Sequence, residues 1–172
     1  MPIFADEEVL KQASIVLTEE ESVEQRASKG HLDVFSKTAQ DILAASEAEA
    51  RHLHHDYVCT GHLLMALAKK ANTATNIMKN AGANPKRIQK DLKAQMKKEH
   101  AVVGGGIGLT SVVKEVIQTS IDEAKKLGSE EVLPEHILLG LVCTSDGMAA
   151  NKLKNLEITP EIIYMELARL HK

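Results

Sequence analysis

A self-match at a fixed offset constrains this chain more than any single motif in it. Val58-Cys59-Thr60-Gly61-His62-Leu63-Leu64-Met65-Ala66-Leu67 returns, 74 positions later, as Val132-Leu133-Pro134-Glu135-His136-Ile137-Leu138-Leu139-Gly140-Leu141. The flanks repeat as well: Ser46/Ser120, Glu49/Glu123, Ala50/Ala124 and Leu53/Leu127 are identical at that offset, as are Val58/Val132, His62/His136, Leu64/Leu138 and Leu67/Leu141. Asn84-Pro85 returns as Thr159-Pro160 at an offset of 75, so one residue was gained or lost between. Core, cap and turn residues in a common register mean one structural unit used twice.

The unit reads as helical. The chain is 44% hydrophobic but only 2% aromatic, with no Trp, so its core must be aliphatic. That mix, without long β-branched runs, favours helices over sheet. Ser36 is expected to cap a first helix whose inward face is Ala39, Ile42, Leu43, Ser46, Ala50 and Leu53, and His54-His55-Asp56 breaks it. Thr60 is expected to cap a second, with Leu63, Leu64, Leu67 and Ala71 inward. A third uses Ala74, Ile77, Met78 and Ala81 and stops at Gly82. Asn84-Pro85 opens a fourth, with Ile88 and Leu92 inward.

The second copy repeats this face with Val113, Val116, Ile117, Ser120, Ala124 and Leu127, stopping at Gly128. Pro134 stands where Thr60 stood, and Ala149, Leu153, Leu156, Ile163 and Leu167 complete the series. Either copy alone leaves an apolar stripe uncovered. Packing the two face to face about a pseudo-twofold axis buries both, which predicts an all-α bundle of two four-helix units.

The expected organisation is an acidic extension over 1–34 and a double repeat over 35–170, divided into 35–98, a connector at 99–108, and 109–170. Four glycines within 104–108 predict a flexible connector. The extension holds eight acids and three bases. Val9, Leu10, Ala13, Val16 and Leu17 predict an amphipathic helix over 6–17, and Thr18-Glu19-Glu20-Glu21 a capping box opening a polar helix or a disordered stretch. The net charge of −3 argues against whole-molecule attraction to nucleic acid. Two cysteines are too few for a disulfide scaffold and fit a reduced, cytoplasmic setting. No basic-then-apolar leader and no membrane-length apolar run is evident.

The doubled pattern, with Glu135-His136-Ile137-Leu138-Leu139-Gly140-Leu141 and the preceding Ser120-Ile121-Asp122-Glu123-Ala124-Lys125-Lys126-Leu127-Gly128, closely resembles the Clp repeat. That is the N-terminal domain of ClpA/ClpC-type AAA+ unfoldases. The resemblance implies a non-catalytic helical bundle that receives substrate and adaptor proteins for an ATPase feeding a protease chamber. The partners it implies are Clp ATPase or protease subunits, adaptors and substrates. No phosphate loop is present, and Gly104–Gly108 lacks a following Lys-Ser/Thr, so neither a nucleotide cofactor nor enzymatic activity is expected. The acidic extension is atypical of the family's ATPases and points to a free-standing accessory protein rather than an excised domain.

The resemblance also implies a site. Members of the ClpC branch bind phosphorylated arginine, with the guanidinium on a Glu just before the repeat's His. Glu135 matches that position in the second copy; Gly61 stands there in the first, so one site at most is expected. Carboxylates pair with guanidinium groups bidentately, and helix starts attract anions. The alternative is that Glu135 merely complements the dipole in the first turn of its helix.

Other candidates read more plainly. His62 and His136 hold equivalent places, and duplication favours a structural imidazole bonded to backbone over an acid–base role. His52, His54 and His55, with Cys59 and His62, match no zinc spacing, so no metal is expected. Cys59 and Cys143 are not equivalent and form no Cys-x-x-Cys, so packing is the default. Lys86, Arg87, Lys90, Lys93, Lys97 and Lys98 make a basic helix, a second contact surface beside the grooves around Thr60, Pro134 and Glu135. A solvated face, or an acidic partner with the 18–24 segment among the candidates, suits it better than nucleic acid. Stacking aromatics are missing, and Asp91 and Glu99 interrupt the run.

Overall fold

In the computed structural model, which describes residues 34–96 and 107–171, the repeat becomes two similar halves. The first contains α1 (Lys37–His52), β1 (Tyr57–Val58), α2 (Thr60–Lys69), α3 (Thr73–Asn80) and α4 (Pro85–Met96). The second contains β2 (Gly108–Leu109), α5 (Ser111–Lys126), α6 (Pro134–Cys143), α7 (Met148–Asn155) and α8 (Pro160–Leu170). The helices expected over 6–17 and beyond lie outside the described residues, as do Lys97, Lys98 and Gly104 to Gly106.

The helix boundaries follow local chemistry. Ser36 Oγ accepts from the Ala39 N–H at 3.1 Å, and its counterpart Thr110 accepts from Val113 at 3.2 Å. Asn84 Oδ1 accepts from the Lys86 and Arg87 N–H groups at the start of α4. Gly82 and Gly128 supply the left-handed residues that end α3 and α5, with φ of 87° and 70°. Their counterparts in the other half, Glu157 and His54, take the same turn at φ of 57° and 60° without being glycine.

Two expectations change at α2. Cys59, not Thr60, is its N-cap residue. Thr60 is the first helical residue, and its hydroxyl accepts from the Ala149 N–H of α7 at 3.3 Å, tying one half to the other. Gly147 makes room for this: a Cβ there would meet Thr60 Oγ1 at 2.6 Å. α2 ends at Lys69, so Ala71 lies beyond it, exposed rather than inward.

Short strands, unforeseen in the helical reading, cross between the halves. β1 pairs in parallel with β2, with Tyr57 opposite Gly108 and Val58 opposite Leu109. Gly108 is therefore held in a strand rather than in a loose connector, and its N–H donates to Asp56 at 3.0 Å. The reciprocal bridge joins Phe35 to Val132. Ser36 N–H donates to Val132 C=O at 3.0 Å, and Thr110 N–H to Val58 C=O at 3.1 Å, which are the same bond in the two copies. Each half thus completes the other's entry segment.

α2 and α6 sit at the centre. Residues Thr60 to Ala68 of α2 and Pro134 to Leu141 of α6 are all buried, as expected of helices covered on every side. Leu63, Leu64, Leu67, Leu138 and Leu139 are fully enclosed. α5 lies very close to α6, where a Cβ on Gly140 would stand 2.6 Å from Val116 O. Leu127 departs from the expected core face and is 43% exposed. Among the described residues, no helix is long and apolar enough to cross a membrane.

Candidate functional site

The start of α6 carries the second half's candidate site. Pro134 opens the helix with its fixed φ and is itself buried. His136 Nδ1 accepts from the Leu133 N–H at 2.9 Å and so folds the imidazole back over the helix start. Glu135, between them, is 5% exposed and faces a cavity of about 440 Å³. The walls come from the end of α5 (Leu127), the start of α6 (Leu133) and α8 (Tyr164, Leu167), with His171 at the edge.

Two carboxylates near this cavity have different surroundings. Glu123 accepts from Lys126 Nζ at 2.6 Å and from the Tyr164 hydroxyl at 2.5 Å, so its capacity is used inside the protein. Burial, then the Glu123 contact, pushes the Tyr164 hydroxyl well above its usual range and keeps it protonated. Glu135 has no lysine or arginine beside it among the described residues. Burial pushes its carboxyl up, countered in part by its own backbone N–H and by His171. It is a desolvated acceptor, facing a largely apolar cavity without a lysine or arginine partner among the described residues.

The same place in the first half is closed. His62 Nδ1 accepts from the Cys59 N–H at 2.9 Å, repeating the His136 geometry. That bond puts the ring proton on Nε2, which donates to His55 Nδ1 at 2.8 Å. Burial, and then the neighbouring His55, push His62 down to about 4, so it is neutral. Gly61 offers no carboxylate, and sulphur fills the space. From the point a Gly61 Cβ would occupy, Met148 Sδ stands at 2.9 Å, Met96 Sδ at 3.0 Å and Cys59 Sγ at 3.5 Å.

The remaining candidates are scattered. Thr60 is buried against α7, away from the Glu135 cavity. Lys86, Arg87 and Lys90 are exposed on α4. Arg87 lies 3.9 Å from Asp91, which also takes Lys152 at 2.6 Å. Lys86 lines a separate groove of about 350 Å³ with Lys69, Lys70 and Lys79. His52 and His54 are exposed, and no three His, Cys, Asp or Glu among the described residues are placed to hold a metal. Leu127, Tyr164 and His171 were missed by sequence reasoning. Leu127 carried a signal only in hindsight, because its identity with Leu53 read as core.

A family model for the Clp repeat (R) N-terminal domain matches residues 34–156 and 109–170. The chain belongs to that family. Within it, the chain is 35% identical over 132 residues to ClpC/MecB, the negative regulator of genetic competence of Bacillus subtilis, covering 73% of this chain and 15% of that protein. It is 31% identical over 150 residues to the chloroplastic chaperone ClpC2 of Arabidopsis thaliana, covering 83% and 15%. This Clp-repeat chain therefore spans about 15% of the length of these curated relatives. Its fold matches the N-terminal domain of ClpD from Arabidopsis thaliana with a TM-score of 0.66 at 21% identity, over 84% of this chain and 99% of that one. It also matches the Hsp104 N-terminal domain from Candida albicans at 0.67 and 15% identity, over 80% and 91%.

Proposed function

We propose that this Clp-repeat chain is a non-catalytic interaction module that receives substrate or adaptor proteins of the Clp unfoldase system, and that the Glu135 cavity captures a phosphoarginine side chain. The observation that carries this is a buried carboxylate without a lysine or arginine partner among the described residues, facing a cavity of about 440 Å³. A guanidinium supplies two parallel N–H donors to such a group. Leu127, Leu133 and Leu167 would line the aliphatic stem, while His171 and the positive end of the α6 dipole would favour the phosphate. The exposed Lys86 and Lys90 of α4 form a second, weaker contact surface for acidic partners.

Calorimetric titration of phosphoarginine into the full chain tests the cavity. One equivalent should bind, and Glu135→Gln should weaken binding by at least tenfold, the effect of roughly 1.4 kcal/mol for a lost charged partner. Absence of heat with the wild type removes phosphoarginine as the ligand. Affinity capture with purified Clp ATPase, protease and adaptor proteins tests the module itself; recovery of none of them removes that reading. Low-salt retention on DNA, abolished by neutralising Lys90 and Lys93, would move the function to nucleic acid instead.

A further inference from the structure

Three sulphurs meet in the first half at the place where the second half opens its cavity. Cys59 caps α2, Met96 ends α4, and Met148 begins α7, so the three come from separate helices and from both halves. All three sulphur atoms lie within 3.5 Å of the point above Gly61, and Cys59 Sγ is 3.9 Å from Met96 Sδ. Glycine at 61 permits the convergence, since a side chain there would occupy the point the sulphurs share. Met96 is fully buried, whereas Cys59 and Met148 are half-buried, which leaves an approach from solvent.

One thiol and two thioethers are a soft donor set. Soft sulphur ligands select Cu(I), whereas calcium and magnesium take oxygen. A planar ion with three bonds of about 2.3 Å holds its sulphurs roughly 4 Å apart. The Cys59–Met96 spacing already meets that value, and Met148 Sδ, 2.9 Å from the point above Gly61, supplies the third donor. We propose that Cys59, Met96 and Met148 form a binding site for a cuprous ion that staples the two halves together. On binding, the Cys59 thiol releases its proton and the thiolate sulphur bonds to Cu(I). The thiolate charge cancels that of the ion, so no net charge is buried. Both nitrogens of His62 are engaged by Cys59 N–H and His55, so the donor set is sulphur alone.

The test is anaerobic titration of the reduced full chain with Cu(I) against the chromophoric chelator bicinchoninate. One equivalent should be withheld from the chelator. Met96→Leu and Met148→Leu, which keep the shape of the core, should each weaken retention by at least about tenfold, the loss that even an outer partner of a metal site causes. Cys59→Ser should abolish it, and Cys143→Ser should leave it unchanged. X-ray absorption on the 1:1 complex should show sulphur neighbours. Failure to compete with the chelator overturns the site and leaves the sulphurs as core packing. So does a nitrogen shell from the exposed His52 and His54, or retention that survives the double Met→Leu change.

Discussion

The two halves share a scaffold but not a surface chemistry. Leu64 and Leu138 are both fully enclosed, and His62 and His136 make the same imidazole-to-backbone bond. One residue before each histidine the halves diverge: Glu135 faces an open cavity, while Gly61 sits under three sulphurs. Positions that hold the helices together are thus repeated faithfully, and positions at the helix starts are where the side-chain chemistry departs. The histidine partners diverge too. His55 stands against His62 where Ser129 stands in the second half.

That last difference carries the largest expected effect. The folded pKa of His62 is about 4, below the 6.5 of an exposed imidazole, because burial and then His55 oppose its charging. A depressed histidine contributes stability that is whole above pH 6.5 and is lost as pH falls from there towards 4. The full loss is on the order of 3 kcal/mol. Burial lowers His136 as well, but there the carboxylate of Glu123 opposes the shift more strongly than His171 adds to it. Hydrogen exchange followed from pH 7 to pH 4 should therefore show α2 losing protection before α6. His55→Ser should narrow the gap. If α6 opens first, the two histidines do not differ in the way their neighbours imply.

The helix-packing glycines come next. Gly140 lies against α5, where a Cβ would stand 2.5 Å from Ser120 Oγ and 2.6 Å from Val116 O. Backbone cannot swing aside, so Gly140→Ala should cost about 3 kcal/mol in urea unfolding. A Cβ on Gly61 meets methionine sulphurs at similar distances, but these are near the ends of flexible side chains. Gly61→Ala should cost under about 1 kcal/mol. Equal costs would mean that the first half is as tightly built as the second.

Most of the architecture was legible because duplication acts as an internal check. Ser36, Gly82 and Gly128 act where caps and stops were expected. Thr60 misled because its type suits a cap; local preference says nothing of an N–H arriving from the other half. The crossed strands were invisible because two-residue pairs leave no alternation to read. At the site, Glu135 stood out only through family likeness. The walls of its cavity come from α5 and α8, distant in sequence and ordinary in type. The convergence of Cys59, Met96 and Met148 needs tertiary structure to bring three helices to one point.

The smallest effect tests whether the duplicated backbone persists where residue identity has drifted. Gly82 pairs with Glu157, and Gly128 with His54; all four residues have positive φ. A Cβ at Gly82 or Gly128 would meet nothing within 4 Å, and His54 and Glu157 are exposed, so exchanges here change backbone preference and little else. A non-glycine residue in this region carries a cost of about 1–2 kcal/mol, lower for types such as His that tolerate it. Glycine relieves that cost but gives back about 0.5–1 kcal/mol through greater freedom of the unfolded chain. Glu157→Gly should therefore stabilise by roughly 0.5 kcal/mol and His54→Gly by less, while Gly82→Ala and Gly128→Ala each destabilise by about 1 kcal/mol. Urea midpoints of the four variants decide it. Losses at Glu157 and His54 matching those at the glycines would mean that their side chains hold the turns, and that the two halves reach one backbone shape by different means.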